Sequence, residues 1–242
     1  GGSNQAGIAK ALAASGLARE SVFVTTKVPG CGRQGVSFDN CAADSVKAAQ
    51  GNLDELETDY VDLLLVHFPP EGGCGPKNCA AIKQQWAALS ALVAQNKTRA
   101  LGVSNFCVSC LECLSQTAGA IVPAVNQFKF HIGMSADPEG LVSYCKAHGI
   151  AAQAYSPLGD NTTELITGPL VTALGAAHNK SGVQVALRWI WQHGVAPTTK
   201  SGNPVHLAQD LDLFDWQLTS DEMARADAAT DPAGTPSFMC TA

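Results

Sequence analysis

The chain has 242 residues and a mass of 25.1 kDa, enough to bury one large core. It has 15 Lys and Arg residues against 21 Asp and Glu, and its net charge is −6. Because this charge repels phosphate and no basic cluster occurs, we expect neither nucleic acid nor a membrane surface as a partner. No apolar run approaches the roughly 18 residues that a membrane helix needs. The opening segment lacks the apolar run of a signal peptide and is predicted to form a short amphipathic helix.

Short apolar runs alternate along the chain with segments of helical period. The predicted strands are VFVTTK from 22, VDLLLVH from 61, TRALGVSN from 98, AVNQF from 124, IAAQAY from 150, VAPTTK from 195 and LDLFDW from 211. Amphipathic helices are predicted on two stripes, Val46, Ala49, Leu53 and Leu56, and Ile82, Trp86, Leu89 and Val93. Further helices are predicted near 107–116, 136–148, 169–179 and 182–193. The alternation predicts an α/β fold with a mainly parallel sheet.

Two parallel architectures fit such an alternation. A doubly wound sheet should carry a G-x-G-x-x-G turn after its first strand, and none follows any strand here. The number and spacing of the units favour a (β/α)8 barrel of the TIM type. Since no polar linker or low-complexity tract interrupts the chain, we expect residues 1–242 to form a single domain.

Polar residues stand at the carboxyl end of strand after strand. They are Lys27, His67, Ser104, Asn105, Gln127, Tyr155, Ser156, Lys200 and Ser201. Each has a structural interpretation when taken alone: a lysine can be solvated, and Asn105 can cap a following helix. In a (β/α) barrel, however, these strand ends converge on the face that carries the active site. The joint pattern therefore predicts a site.

The segments that hold these residues resemble the aldo-keto reductase superfamily. They are VFVTTKV, LETDYVDLLLVHFP, RALGVSNF, PAVNQF, AYSPLG, VALRWIWQHGVAPTTKS and FDWQLTSDEM, in family order over nearly the whole chain. The resemblance implies an NAD(P)H-dependent oxidoreductase that reduces aldehydes and ketones to alcohols. It assigns Lys27 to lowering the pKa of a proton-donating Tyr, and His67 to orienting the substrate carbonyl.

The resemblance also implies a cofactor site. Ser104, Asn105 and Gln127 would hold the nicotinamide carboxamide, and Tyr155 would stack on the nicotinamide ring. The segment from Ser156 through Leu158 to Gly159 would follow the pyrophosphate. Lys200, Ser201 and Asn203 would hold the adenosine ribose and any 2′-phosphate.

The sequence departs from the family at two parts of this cofactor site. His206 stands where members that prefer NADPH usually have an Arg, and Gln209 and Asp210 replace a Glu and an Asn near the adenine. Because Lys200 and Ser201 remain, NADPH is the expected cofactor and NADH the alternative. The short ending AGTPSFMCTA leaves the carbonyl substrate unnamed.

The start of the chain departs further from the family pattern. The family's Asp and proton-donating Tyr close its first barrel strand, and GGSNQAGIAKAL matches the helix that follows, so we expect the Tyr just before Gly1 or Gly2. The first strand and the N-terminal hairpin are likewise missing from this sequence. The tyrosines that are present are not expected to replace it. Tyr60 is expected before a strand, Tyr144 within a helix, and Tyr155 against the nicotinamide.

Without its first strand the barrel would expose two unpaired edges. We therefore expect the polypeptide to continue upstream. The alternative is a catalytically inactive relative, a dinucleotide-binding or scaffold subunit whose protein partner closes the barrel. The cytoplasm is the default location, with an organelle as the alternative.

Nine cysteines are many for an enzyme of a reducing compartment. Cys74 and Cys79 could close a small disulfide, but we expect free thiols because a core of this size needs no cross-link. Cys107, Cys110 and Cys113 superficially suggest a metal site. With no fourth ligand nearby, they are predicted to be ordinary small helix residues, and metal-dependent hydrolysis is not expected.

Overall fold

A computed structural model describes residues 4–116 and 119–233 of the chain. These residues divide into two compact units, of which unit 1 runs to Val125 and unit 2 begins at Asn126. The predicted helix start at Gly1 and Gly2 and nearly all of the AGTPSFMCTA ending lie outside the described residues. Within the described residues, no helix is both long and apolar enough to cross a membrane.

Unit 1 alternates helices with parallel strands. Its elements are α1 (Gln5–Ser15), β1 (Thr25–Val28), α2 (Cys41–Leu56), β2 (Val61–Val66), α3 (Pro76–Ala94), β3 (Thr98–Ser104) and α4 (Val108–Ser115), with a 3₁₀ turn at Arg19–Ser21. Strand β2 lies between β1 and β3, with Lys27 opposite Leu65 and Leu65 opposite Gly102. The first three predicted strands and the two predicted helical stripes are confirmed.

The central strand of unit 1 is buried on both of its faces. Every residue of β2 is buried, as its continuous apolar sequence predicts. A side chain at Gly102 of β3 would meet Leu65 Cδ2 and the Val125 carbonyl oxygen, both at 2.7 Å from the added Cβ. Trp86 of α3 is buried and its indole N–H donates to the Ile121 carbonyl, which confirms the prediction that it is a core residue.

The single acid of β2 is a structural anchor. Asp62 accepts hydrogen bonds from the Val24 amide (2.8 Å) and from Arg19 (2.9 Å), and Arg99 lies 3.1 Å away. Burial raises the pKa of this carboxyl, but those donors outweigh burial and hold it below the ordinary value. The group stays ionised and ties the amino ends of β1 and β2 together.

Unit 2 continues the alternation. Its elements are β4 (Val125–Lys129, whose first residue still belongs to unit 1), α5 (Leu141–Ala147), β5 (Ala151–Tyr155), α6 (Thr163–Ile166), α7 (Pro169–His178), α8 (Gly182–Gln192), β6 (Val195–Pro197), α9 (Pro204–Leu211) and α10 (Ser220–Asp227). Strand β5 pairs in parallel with β6, with Ala152 opposite Val195. A capping box of Ser181 and Gln184 starts α8, whose Trp189 stacks on Phe130 at 4.8 Å in the core.

The strand predicted at LDLFDW from 211 is wrong. Asn203 caps α9 and Pro204 begins it, and this helix runs on to Leu211. The residues that follow form turns. Asp212 in these turns forms an ion pair with Lys180 at 2.8 Å. Leu213 is buried, whereas Phe214 is 62% exposed. Alternation of apolar and acidic letters suggested a strand, but the local cap and the ion pair determine the structure.

The prediction of free thiols is also wrong. Three disulfides join Cys31 to Cys41, Cys74 to Cys110, and Cys79 to Cys113, with Cα atoms 5.3, 5.2 and 5.7 Å apart. Cys74 and Cys79 thus bond to α4 rather than to each other. The prediction of ordinary helix residues is wrong for Cys107, Cys110 and Cys113, all of which are disulfide-bonded. The sequence could not show that the loop before α3 folds back onto α4.

Candidate active site

Lys27 and His67 line one cavity of unit 1. Its volume is about 390 Å³, and its walls include Gln5 of α1, Thr26 of β1 and Asn52 of α2. Lys27 lies on β1 and His67 directly follows β2, so parallel pairing brings both side chains to the carboxyl ends of the strands. The His67 amide donates to the Val28 carbonyl at 2.8 Å, which fixes this position.

The environment changes the pKa of both groups. Burial lowers the pKa of Lys27 to about 8. Burial, with the positive charge of Lys27 as a second cause, lowers the pKa of His67 to about 4. At neutral pH the cavity therefore holds a cationic lysine beside a neutral imidazole, which can donate or accept a hydrogen bond.

Asn105 holds the backbone that carries His67. Its side-chain amide donates to the His67 carbonyl at 2.9 Å and contacts Ser104 Oγ at 3.1 Å. Both Ser104 and Asn105 are buried, and Asn105 has a φ of 61°, which asparagine tolerates better than most residues. Asn105, one of the two residues of unit 1 predicted to bind the carboxamide, thus positions the backbone of the predicted catalytic histidine.

Unit 2 contains a larger cavity of about 790 Å³. It lies at the carboxyl ends of β5 and β6, beside α9. Among its walls are Tyr155, Ser156, Leu158, Lys200, Ser201, His206, Gln209 and Asp210, all of them predicted cofactor residues. The sequence therefore identified most of the polar and aromatic groups around this cavity.

Three predicted cofactor residues of unit 2 have other partners. The Gln127 amide donates to the Gln153 side chain at 2.6 Å, and the Gly159 amide donates to the Ser156 carbonyl at 2.9 Å. The Asn203 side chain accepts from the Val205 amide at 2.9 Å and caps α9. None of the three is among the residues that line the cavity.

This cavity also contains an acid that the sequence pattern did not predict. Asp160 accepts hydrogen bonds from Lys129 (2.7 Å) and from the Ser156 hydroxyl (2.5 Å), and these bonds lower the pKa of its carboxyl. Thr198 and Thr199 also line the cavity and were missed. Their position at the end of VAPTTKS was the available signal, because hydroxyl groups next to Lys200 are suited to a phosphate or a ribose.

Tyr60 and Tyr144 lie where the sequence predicts. Tyr60 directly precedes β2. The guanidinium carbons of Arg19 and Arg99 lie 4.2 and 4.6 Å from the centre of its ring. Tyr144 lies within α5, and its ring stacks on His148, the residue that follows this helix. Neither lines a cavity with Lys27 or His67 among the described residues.

Comparison with known proteins identifies the family. The model of the aldo/keto reductase family matches residues 1–231. The chain belongs to this family. The glyoxal reductase of Bacillus subtilis is 36% identical over 225 residues, which are 93% of this chain and 74% of that protein. The morphine 6-dehydrogenase of Pseudomonas putida is 34% identical, with 93% and 74% covered.

A solved structure supports the same assignment. The Bombyx mori aldo-keto reductase AKR2E4, in complex with NADP, matches with a TM-score of 0.75 and 31% identity over 93% of this chain and 74% of its own. The family's α/β fold of the TIM-barrel type, expected from the order of elements, is thereby confirmed. So is the family's activity, the NAD(P)H-dependent reduction of carbonyl compounds.

Proposed function

We propose that this aldo-keto reductase uses NADPH to reduce small aldehydes and ketones, with Lys27 and His67 at the reacting carbonyl. The observation that carries the proposal is the cavity that Lys27 and His67 share, in which a cation lies beside a neutral imidazole. Small carbonyl compounds such as glyoxal, the substrate in the name of one relative, are the substrate class to test first.

The neutral state of His67 suits it to bind a carbonyl. A neutral imidazole N–H donates a hydrogen bond to the carbonyl oxygen, orients it, and stabilises the negative charge that develops there. An imidazolium would instead compete as an acid with the family's proton-donating tyrosine. Lys27 would lower the pKa of that tyrosine through its positive charge, so that proton donation is feasible near neutral pH.

The cavity of unit 2 fits the dinucleotide. Its volume of about 790 Å³ is in the usual range for cofactor pockets. Tyr155 offers an aromatic face, while Lys200 and Ser201 offer a cation and a hydroxyl to the adenosine end. Asp160 is neutralised by Lys129, so it does not repel phosphate as a lone carboxylate would. The bound cofactor supplies the hydride.

The proposed contacts from each unit follow the family pattern. In unit 1, Ser104 and Asn105 would bind the nicotinamide carboxamide. In unit 2, Gln127 and Tyr155 would hold the nicotinamide, and the turn from Ser156 to Gly159 the pyrophosphate. Lys200, Ser201, Asn203 and His206 would contact the ribose and 2′-phosphate, and Gln209 and Asp210 the adenine.

The same reasoning extends to the rest of the protein. We propose that residues 1–242 form a single barrel domain, which predicts one cooperative unfolding transition. The proposed partner is a small carbonyl substrate, with no nucleic acid and no membrane insertion. The cytoplasm stays the default compartment. Disulfides are unusual there because cellular thiols keep cysteines reduced, so the three bonds would form only under oxidising conditions.

The test is a Lys27→Met variant of the full polypeptide, assayed by NADPH oxidation with glyoxal. We expect turnover to fall by at least a hundredfold, the usual scale for loss of acid–base assistance, while NADPH affinity measured by fluorescence stays within about twofold. Lys10→Met is the matched control, since Lys10 is exposed on α1 and lines no described cavity. It should keep normal turnover.

Two outcomes would contradict the proposal. Normal turnover in Lys27→Met would remove Lys27 from the mechanism. If the unaltered polypeptide binds NADPH but reduces no carbonyl, and its intact mass is 25.1 kDa, the inactive-subunit alternative replaces it.

A further inference from the structure

Three short segments of the chain have the pattern Asn-X-Ser or Asn-X-Thr, in which X is not proline. They are Asn96-Lys97-Thr98, Asn161-Thr162-Thr163 and Asn179-Lys180-Ser181. This pattern is the acceptor for N-linked glycosylation, in which an oligosaccharide is attached to the asparagine side chain. Because so short a pattern also arises by chance, the structure around each asparagine decides what it means.

The three asparagines are exposed, and two of them lie in turns at the ends of helices. Asn96 stands between α3 and β3, and Asn179 ends α7 just before α8. Their φ angles are 57° and 55°, in the left-handed region that asparagine tolerates well. This backbone would by itself account for an asparagine at a helix end, so a second observation has to decide for glycosylation.

The cysteines of unit 1 supply that second, independent observation. Every cysteine among the described residues of this unit is disulfide-bonded. Disulfides form and persist in oxidising compartments, such as the lumen of the endoplasmic reticulum, and are rare where cellular thiols keep cysteines reduced. N-linked glycosylation takes place in that same lumen. A chain that acquires its disulfides there is exposed to the enzyme that recognises Asn-X-Ser and Asn-X-Thr.

The side chains of Asn96 and Asn179 are available for modification. Among the described residues, neither side chain forms a hydrogen bond, and backbone groups hold both turns. The Lys97 amide donates to the Leu92 carbonyl at 2.9 Å, and the Lys180 amide donates to the Gly175 carbonyl at 2.9 Å. A sugar attached to Nδ2 of either asparagine therefore breaks no contact of the fold.

The surroundings of the third asparagine are different. Asn161 lines the cavity of unit 2 that is proposed to hold the cofactor, so a glycan there would fill this cavity. Asn179 is not among the residues that line it. Asn96 precedes β3 and lies at the amino ends of the parallel strands of unit 1, whereas Lys27 and His67 stand at their carboxyl ends. Glycans on Asn96 and Asn179 thus leave both cavities open.

We propose that Asn96 and Asn179 are N-glycosylation sites. The co-reactant is an oligosaccharide linked to a lipid through pyrophosphate. The side-chain amide nitrogen bonds to the anomeric carbon of this sugar and loses one proton. The bond from that carbon to the pyrophosphate breaks, and the lipid pyrophosphate leaves with its electron pair, so the step needs neither an oxidant nor a reductant.

The inference concerns the history of the chain and does not rest on the proposed reaction. Glycosylation and the disulfides of unit 1 both require passage through the oxidising lumen. That lumen then replaces the cytoplasm, which was only the default, as the compartment to test.

Heavy-oxygen labelling of the full-length protein from its natural source tests the proposal. Peptide N-glycosidase F removes each N-linked glycan and converts its asparagine to an aspartate that takes up heavy oxygen from labelled water. The protein is then reduced and digested with trypsin and with a protease that cleaves after Glu. Asn96 lies in peptide 84–97 and Asn179 in peptide 165–180, while Asn161 falls in a separate peptide, so mass spectrometry reads each site alone.

We expect heavy aspartate at positions 96 and 179 with the glycosidase and none when it is omitted. Asn40 is the internal control, because it is exposed but is followed two positions later by Ala42 rather than by Ser or Thr. It should stay unlabelled in both samples, which excludes spontaneous deamidation as the source of the label.

Two variants at Ser181 separate glycosylation from helix capping. The Ser181 hydroxyl caps α8 by accepting a hydrogen bond from the Gln184 amide at 3.2 Å. Ser181→Asp keeps a good capping group but removes the hydroxyl that the pattern requires, so the glycan on Asn179 should be lost while the one on Asn96 stays. Ser181→Thr keeps both the cap and the pattern, so both glycans should be retained.

Either of two results would overturn the proposal. Asn96 and Asn179 could both stay unlabelled in the protein from its natural source, whether or not its cysteines are disulfide-bonded. Alternatively, the label at Asn179 could persist in Ser181→Asp, which would mean that it does not arise from the Asn-X-Ser pattern. Neither readout depends on catalytic activity, so the proposed carbonyl reduction stands or falls separately.

Discussion

The side-chain amide of Asn105 donates a hydrogen bond to the backbone carbonyl of His67 at 2.9 Å. Because both residues directly follow parallel strands, β3 and β2, this bond fixes the histidine relative to the next strand end. Asn105 adopts a φ of 61°, so two properties of the residue contribute, its amide and its tolerance of left-handed backbone.

Substitution of Asn105 separates these two properties. Asn105→Ala should lower the free energy of unfolding by about 2–4 kcal/mol, because it leaves a part-buried carbonyl without its donor and puts a residue that tolerates left-handed backbone less well than asparagine at a φ of 61°. Asn105→Gly loses the donor alone and should lower it by about 1–3 kcal/mol. Urea denaturation measures both. Equal losses would show that the backbone strain contributes nothing.

The pH profile of carbonyl reduction should be a plateau. Lys27 must be protonated, and its charge is lost as the pH rises through about 8. His67 must be neutral, and it becomes charged as the pH falls through about 4. We therefore expect kcat/KM to be constant between about 5 and 7 and to fall on both sides.

A conservative variant checks the alkaline limb of that profile. Lys27→Arg keeps a cation whose pKa lies far above that of lysine, so its residual activity should no longer decline near pH 8. An unchanged alkaline limb in this variant would assign that limb to another group.

Cofactor choice should depend on residue 206. His206 lines the cavity of unit 2 and is exposed on α9. His206→Arg should lower the KM for NADPH by up to about fivefold, since an exposed charge pair contributes up to about 1 kcal/mol. The KM for NADH, which lacks the 2′-phosphate, should not change. His148→Arg, after α5 and outside the cavity, is the control, and an equal effect there would indicate general electrostatics.

Glycine substitutions should have opposite effects at two positions of unit 1. Gly102→Ala would place its Cβ 2.7 Å from Leu65 Cδ2 and from the Val125 carbonyl oxygen, so we expect a loss of about 1–3 kcal/mol. Gly51→Ala lies within α2, where the new Cβ has no neighbour within 4 Å, so it should gain about 0.5–1 kcal/mol. Thermal unfolding of both variants tests the packing of β3. Stability gained at Gly102 would contradict it.

The strands could be predicted from the sequence because burial on both faces requires a continuous apolar run. The run from Val61 to Val66 is apolar apart from Asp62, and a parallel strand that is covered on both faces requires that composition. The strand predicted from Leu211 was wrong because a short alternation of apolar and polar residues does not distinguish a strand from the end of a helix followed by a turn. The cap at Asn203 and the ion pair of Lys180 with Asp212 decide the structure there.

Site residues at strand ends were predictable for a related reason. Lys27 and His67 are polar interruptions next to buried strands, and parallel pairing brings such positions together. Asp160 was missed because its partner Lys129 lies 31 positions earlier in the chain, a separation without any periodic pattern. The disulfides were missed for the same reason, since Cys79 and Cys113 are 34 positions apart.

The three disulfides of the described residues all belong to unit 1, while Cys145 of unit 2 is a thiol. A bond that closes a loop of 34 or 36 residues contributes about 4 kcal/mol of stability through chain entropy. Dithiothreitol in a purification buffer would therefore weaken the part of the molecule that holds Lys27 and His67. Samples of one polypeptide prepared with and without it would then differ in heat resistance, protease sensitivity and shelf life while having identical amino-acid sequences.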